Sequence, residues 1–236
     1  MASQDGPDTP KVHRQIERQL ELMILERTFL PGDSLPSERQ LMETFGVGRP
    51  AVREALLSLE RAGVLRLRNG SPAVVTRVSP EKILSGLSVP VRSFMNEEAG
   101  IRELQDARKL FECAIARRVA LQRGAEDLER IRQALAANAA AIRDLPRLER
   151  TDLDFHTEIV RTVHNRIFEV TLVAMSDWLL EQRQTTLTTP GQPQRAVAFH
   201  TRIFNAIEQG DGDAAERAME VHMEQTVDAY WAAVAR

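Results

Sequence analysis

Four side chains that can bind a metal ion occur at helical spacing in the second half of the chain. Asp152 and His156 are four residues apart and share a predicted helical face with the apolar residues that follow them, and His200 and His222 fall on two further predicted helices. Three imidazoles and one carboxylate suit zinc or another first-row divalent metal, and facing helices of a bundle can hold such ligands. A single histidine of this kind is more often a hydrogen-bonded core residue. Four inward ionisable groups favour a metal site, because their burial is costly unless they are paired or coordinating.

A second unusual residue is an arginine within an apolar helical stripe. Arg108 can be explained as an ion-paired or snorkelling side chain, with Glu112 four residues further on as its partner. It can equally be a guanidinium directed into a pocket to hold the carboxylate of a ligand. The sequence pattern leaves both interpretations open. The apolar residues of this stripe are Ile101, Leu104, Phe111 and Ile115.

The elements before these residues predict three helices and a β-hairpin. Ser37 and Gln40 form a capping-box pattern at the start of the second helix, and Asn69-Gly70 is a strong hairpin signal. This order is typical of a winged helix-turn-helix. The predicted helices cover residues 11–29, 37–45 and 49–62, and the predicted strands cover 64–68 and 73–78.

The third helix of this segment carries arginines where a helix-turn-helix reads DNA. Such a helix places its N-terminal residues on base edges in the major groove, and here those residues include Arg49, Pro50 and Arg53. Arg39 lies on the preceding helix, and Gly70 at the hairpin tip permits close approach of the main chain to DNA. Residues 45–77 hold six arginines and two glutamates, a net charge of +4 within a chain of net charge −3. On charge alone, a solvated face is an equally good explanation.

The remainder of the chain predicts a linker and an all-helical domain. Glycine and proline residues divide the chain beyond residue 100 into about six helices. The predicted fold class is therefore mainly α, a winged helix-turn-helix followed by an all-α bundle. The expected divisions are a disordered tail at 1–10, a DNA-binding domain at 11–78, a linker at 79–98 and a helical domain at 99–236.

Composition favours a cytoplasmic protein without membrane segments. No run of about 18 apolar residues is present, so nothing is expected to span a membrane. The first ten residues are polar and lack the apolar region of a signal peptide, which predicts a frayed tail. Cys113 is the single cysteine, so an internal disulfide is excluded and a reducing compartment is expected.

The first domain resembles the GntR family of bacterial regulators. The resemblance rests on LPSER at 35–39, VGRPAVREAL at 47–56 and LERAGV at 59–64. It implies a DNA-binding fold that contacts an operator. Gly48 departs from the family pattern, where serine or threonine is usual, and loses a hydroxyl that could cap the helix or contact phosphate. The residues expected at the operator are Arg39, Gly48, Arg49, Pro50, Arg53 and Gly70.

The second domain resembles the FCD effector domain of the FadR-type branch of that family. The resemblance rests on DLDFH at 152–156, on His200 followed by IEQGD at 207–211, and on AMEVH at 218–222. It implies a homodimer and a divalent metal, with zinc preferred, that helps to hold a small organic acid near Arg108. The ligand roles it implies fall on Asp152, His156, His200 and His222.

Four short segments narrow the resemblance further. VGRP at 47–50, NG at 69–70, LFE at 110–112 and DWL at 177–179 are similar to sialic-acid-responsive members of this branch. Sialic acid is therefore one candidate effector. The preferred function is a repressor of a catabolic operon, controlled by an organic acid.

Two other functions remain open from the sequence. The alternative is a metal-dependent hydrolase, or another metalloenzyme, in which the same Asp/His site activates water. No general base stands out beside the metal ligands, and an enzyme would leave the winged helix without a role. A DNA-binding protein with a purely structural zinc is the third interpretation.

Overall fold

The computed structural model describes residues 9–68, 70–77 and 79–235. Residues 1–8 of the predicted tail, Asn69 of the predicted turn and Val78 lie outside the described residues. The chain divides after Gly86 into two compact units.

Among its described residues, the first unit contains three helices, a two-stranded sheet and one further short helix. The strands β1 and β2 are antiparallel, with Leu65 opposite Val75 and an irregularity between Arg66 and Arg68. The predicted order of elements is thus present, with α1 beginning at Thr9 and β2 ending at Val75. The bounds are α1 Thr9–Leu25, α2 Glu38–Phe45, α3 Arg49–Arg61, β1 Leu65–Arg68, β2 Ser71–Val75 and α4 Pro80–Ser85.

Local capping fixes the turn between α2 and α3. The Ser37 hydroxyl accepts a hydrogen bond from the Gln40 backbone N–H, and the Gln40 side chain accepts one from the Ser37 N–H, which completes the capping box. Gly46 ends α2 in the left-handed conformation, at φ 63°, which glycine adopts at little cost. Gly48 is the extended N-cap of α3, with Pro50 in the first turn. The first residues of α3 are exposed.

The core of the first unit is built from one face of each element. α1 and α3 pack against each other, and α3 also packs on α2 and β1. In β1 the side chain of Leu65 is buried and that of Arg66 is exposed. The hairpin therefore adds its apolar face to the helical core and turns its arginines outward.

The second unit consists of eight helices among the described residues. Helix α6 is central: it packs on α12 most extensively and also contacts α8, α9 and α11. The bounds are α5 Ser88–Phe94, α6 Glu98–Gln122, α7 Ala125–Ala140, α8 Leu145–Arg161, α9 Arg166–Trp178, α10 Leu180–Leu187, α11 Gln192–Gln209 and α12 Gly212–Val234.

The predicted continuous helix at 166–187 is interrupted at Leu179. The Arg183 Nη2 atom donates to the Ser176 carbonyl oxygen at 3.0 Å, which satisfies a backbone acceptor at the break. No proline or glycine marks this position, so the sequence carried no signal for it. The predicted linker at 79–98 also contains two short helices, α4 and α5.

The apolar interior of the second unit surrounds its buried polar groups. Fully buried side chains from α6, α8, α11 and α12 form one cluster, with Phe155, Ile159, Ile203 and Met219 among the largest. Across the described residues, no helix has both the length and the apolar character needed to cross a bilayer.

Candidate metal centre and DNA-binding face

Three predicted histidines converge inside the second unit. His156 on α8, His200 on α11 and His222 on α12 each offer one ring nitrogen within 4.8 Å of the other two. Their exposed fractions are 1%, 0% and 4%. Three imidazoles in an apolar interior need hydrogen-bond partners or an ion, because burial without either is costly.

The tautomer of His200 follows from its neighbours. The Asn138 amide Nδ2 donates to the Thr151 hydroxyl at 3.2 Å, which turns the Asn138 Oδ1 atom toward His200. His200 Nδ1 lies 2.9 Å from that oxygen and must therefore donate. Its Nε2 atom is left with a lone pair directed at the other histidines, which is the form a metal ion requires.

The spacing of two of these nitrogens matches a tetrahedral ion. His200 Nε2 and His222 Nε2 are 3.3 Å apart. Two nitrogens that are each about 2.0–2.1 Å from a tetrahedral zinc would be separated by about 3.3–3.4 Å. His156 Nε2 is buried and has no hydrogen-bond partner among the described residues. An ion between the three rings would satisfy all of these atoms, so the residues present fit a metal.

His156 is held from its other side by a buried carboxylate. His156 Nδ1 lies 2.5 Å from Glu112 Oε2, off the direct line of the N–H bond, and Glu112 Oε1 accepts from Arg108 Nε at 2.5 Å. Glu112 is 1% exposed. Burial alone would raise the pKa of the Glu112 carboxyl, but the Arg108 guanidinium and the adjacent His156 lower it well below its usual value. Glu112 is therefore ionised.

Two of the histidines are neutral at ordinary pH. Burial and the neighbouring imidazoles lower the pKa of His200 and His222 well below the usual value. A metal ion competes with protons for these nitrogens, so a lowered pKa favours metal binding near neutral pH.

The predicted fourth ligand, Asp152, borders the three histidines but is not part of the group within 4.8 Å. Its Oδ1 atom is 3.6 Å from His200 Nε2, and its Oδ2 atom is 4.0 Å from Arg183 Nε. Asp152 therefore faces both the imidazoles and a guanidinium on α10.

A small cavity adjoins the histidines. Its free volume is about 30 Å³, room for roughly one water molecule. A sugar-sized acid needs several hundred Å³, so this conformation is closed to such a ligand. The lining includes Arg108, Asp152, Gln182, Arg183, Gln192 and Gln225.

The polar lining of this cavity is only partly satisfied. Arg183 is 8% exposed, and burial lowers the pKa of its guanidinium more than Asp152 raises it. Gln182 Nε2 and Arg183 Nε are buried without hydrogen-bond partners among the described residues. An anionic, hydrogen-bonding ligand would compensate these groups.

Four of the six predicted DNA-contacting residues of the first unit line one open groove. The groove has a volume of about 630 Å³ and lies between the start of α2, the exposed side of α3 and the hairpin. Arg39, Arg49, Arg53 and Gly70 all line it. Arg49 Nε is 3.4 Å from Glu38 Oε2, an exposed pair that a phosphate or base can replace. Gly48 and Pro50 are exposed at the same end of α3.

Sequence reasoning did not find every polar group of the interior site. Asn138, Gln182 and Arg183 were missed, and Glu112 was considered only as a partner of Arg108. The position of Arg108 and Glu112 on the inward stripe of α6 signals their pairing but not the contact of Glu112 with His156. Asn138 lies within an alanine-rich helix and has no comparable signal.

Comparison with known families matches both units. The model of bacterial regulatory proteins of the gntR family matches residues 12–75, and the FCD domain model matches residues 103–225. The three histidines lie within the second match.

Curated relatives extend over almost the whole chain. The HTH-type transcriptional repressor NanR of Klebsiella aerogenes is 37% identical over 228 residues, which cover 96% of this chain and 87% of the relative. NanR of Cronobacter sakazakii is 36% identical with the same coverage.

Solved structures agree on the fold. Streptococcus agalactiae GntR has a TM-score of 0.54 at 24% identity and covers 90% of this chain and 98% of its own. Escherichia coli McbR/YncC has a TM-score of 0.52 at 15% identity and covers 98% of both chains. These likenesses concern the arrangement of the backbone.

Proposed function

Because this chain belongs to the gntR family of bacterial regulatory proteins and carries an FCD domain, we propose that it is a transcriptional repressor controlled by an organic acid and a divalent metal. Its relatives are transcriptional repressors and not enzymes. The observation that carries the regulatory part is the buried cluster of His156, His200 and His222 beside a cavity that contains Arg108 and Arg183.

The metal is proposed to be zinc, held by the three imidazoles and Asp152. Asp152 completes the set if its carboxylate moves from the contact with Arg183 toward the ion. Zinc accepts four such ligands, and a Lewis-acidic ion would also attract the carboxylate of an effector. The residues of the chain then bind and orient the acid, with Arg108 as the proposed partner of its carboxylate.

The acid is proposed to act by stabilising a second conformation. The cavity is too small for such a ligand as it stands, so binding requires displacement of its walls. A ligand shifts the equilibrium between conformations only by its difference in affinity for them. The segment at 79–98 is the proposed movable connection between a helical domain at 99–236 and a DNA-binding domain at 11–78.

DNA recognition is proposed to rest on the start of α3. Arg49 and Arg53 would read bases, and Arg39, Gly48, Pro50 and Gly70 would approach the backbone or the grooves. Double-stranded operator DNA of a catabolic operon is the proposed target, and the cytoplasm is the proposed location.

A homodimer is proposed because α6 carries an exposed apolar stripe. Leu110 is 64% exposed and Leu121 is 59% exposed. Ala107 and Ala114 lie on the same side of the helix and are also exposed. Burial of this stripe against a second copy would remove apolar surface from water. Sedimentation of wild type and L110E tests it: a dimer that L110E dissociates supports this face, and an unchanged state excludes it.

The function is tested by a mobility shift on DNA upstream of the gene that encodes the chain. Candidate organic acids, including sialic acid, are added to the zinc-loaded protein and to protein stripped by a chelator. Release by one acid in the loaded sample supports the proposal. A protein that shifts no DNA under any condition contradicts it.

A further inference from the structure

The interior site contains a carboxylate that has not been assigned a role toward the metal. Glu112 lies on α6, is 1% exposed and contacts two partners with its two oxygens. Oε1 accepts from Arg108 Nε at 2.5 Å, and Oε2 lies 2.5 Å from His156 Nδ1. One buried group therefore joins the guanidinium at the cavity to a histidine of the cluster.

The contact with His156 determines where the ring carries its proton. A carboxylate oxygen has only lone pairs to offer, so an approach of 2.5 Å to Nδ1 requires a proton on that nitrogen. In the neutral ring, Nε2 is then unprotonated. Both ring nitrogens of His156 are buried without a well-aligned hydrogen bond among the described residues: Nδ1 has the Glu112 oxygen at 2.5 Å, off the line of its N–H bond, and Nε2 remains available to an ion.

We infer that Glu112 is a positioning residue that keeps His156 in the metal-binding tautomer, an inference that rests on the proposed function. Arg108 holds the Glu112 carboxylate in place for this contact. Asn138 has the corresponding contact with His200, at 2.9 Å from Nδ1. These two partners of ring Nδ1 atoms differ in charge, because Glu112 is a carboxylate and Asn138 is a neutral amide. Glu112 also raises the electron density of its imidazole, which strengthens its bond to a cation.

E112Q separates this role from simple packing. The glutamine oxygen remains the acceptor for Arg108 Nε, so its amide NH2 is directed at His156 Nδ1. That nitrogen must then accept, which moves the ring proton to Nε2 and blocks the metal-binding atom. E112D stays anionic but is one methylene too short to reach both partners.

The experiment compares wild type, E112Q, E112D and N138A as full-length chains labelled with 15N in the histidine rings. NMR of the metal-free proteins at mildly alkaline pH gives each tautomer, and chelator competition with zinc alone gives affinity. Wild type is expected to hold the His156 proton on Nδ1. E112Q is expected to move it to Nε2 and to weaken zinc binding about 10–100-fold. E112D is expected to lie between the two, and N138A to alter His200 without altering the His156 tautomer.

Three results would overturn the inference. They are a wild-type His156 protonated on Nε2, an E112Q ring unchanged from wild type, and a zinc affinity that E112Q leaves intact. If E112Q does not fold, the wild-type His156 tautomer and the intermediate effect expected of E112D still decide the inference. Wild type that binds no zinc would refute the metal part of the proposed function, while the tautomers of the metal-free proteins would still decide the role of Glu112.

Discussion

His200 Nε2 and His222 Nε2 face each other at 3.3 Å in the interior of the helical domain. Asn138 fixes the His200 proton on the opposite side of its ring. The pair is therefore arranged to share either one proton or one cation. This relationship would make metal binding depend on the folded interior, and it leads to the first prediction.

H200A is expected to lose the metal while it retains DNA binding in part. Removal of one of three converging imidazoles should lower zinc affinity by more than the loss of about 10–100-fold that is typical when a residue hydrogen-bonded to a ligand is removed. Chelator competition measures the affinity. H164N is the matched control, because His164 is exposed outside the cluster with φ 53°, a conformation that asparagine tolerates. Stoichiometric zinc in H200A would remove His200 from the site.

R49A is expected to weaken specific operator binding by about 1–3 kcal/mol, because a bidentate contact to guanine carries discrimination of that size. Binding to unrelated DNA should fall much less. Fluorescence anisotropy at one salt concentration measures both affinities. R61A is the control, since Arg61 lies at the far end of α3 and pairs with Glu54. Equal losses on both DNAs would argue against base reading by Arg49.

R108K is expected to reduce the response to the acid and to preserve the fold. Lysine keeps a positive charge beside Glu112, so no buried carboxylate is left unpaired. It lacks the planar guanidinium that forms two parallel hydrogen bonds to a carboxylate. Titration of the acid against the protein–operator complex measures the response. K109R changes the neighbouring residue, which pairs with Glu224. An unchanged titration in R108K would exclude Arg108 as the acid clamp.

The metal-free protein is expected to lose stability as the pH falls below about 6.5. The pKa values of His200 and His222 are lowered by burial, so the unfolded chain takes up protons at a pH where the folded chain does not. Unfolding then becomes more favourable by up to about 1.4 kcal/mol per pH unit for each histidine. Urea unfolding in the presence of a chelator measures this slope. H222Q should reduce the pH dependence of the unfolding free energy by the contribution of one histidine. A slope equal to that of wild type would contradict the lowered pKa of His222.

G48S is expected to stabilise the DNA-binding domain. Gly48 is an N-cap with φ −76°, and a Cβ there would meet only Pro50 Cδ, at 3.6 Å. A serine hydroxyl can cap α3, and serine has less backbone freedom than glycine in the unfolded chain. Together these effects should raise the free energy of unfolding by about 0.5–1 kcal/mol, which thermal unfolding measures. G46A provides the contrast: Gly46 has φ 63°, so alanine should destabilise. A destabilised G48S would show that this capping argument is wrong.

The winged helix could be predicted because its signals are local. The capping box at Ser37, the left-handed Gly46 and the hairpin signal each act within a few residues of the chain. The helical period likewise placed His156, His200 and His222 on inward faces. Such patterns are decided by neighbours in sequence, and they need no knowledge of which helices pack together.

The contacts that Asn138 and Glu112 make with the buried histidines could not be predicted in the same way. The role of Asn138 depends on the packing of α7 against α11, and that of Glu112 depends on α6 meeting α8. Arg108 had two open interpretations, and both describe part of its surroundings: it pairs with Glu112 and also lines the cavity. The break at Leu179 is spanned by a contact between two successive helices, from Arg183 to the Ser176 carbonyl, that no sequence pattern marks.

The most direct test is X-ray absorption at the zinc edge, together with the metal content, of the purified full-length protein loaded with zinc. The account predicts one ion per chain, bound by three imidazole nitrogens at about 2.0–2.1 Å with oxygen completing the shell and no sulfur. A protein that retains no ion, or an ion bound by fewer than three imidazoles, would contradict it.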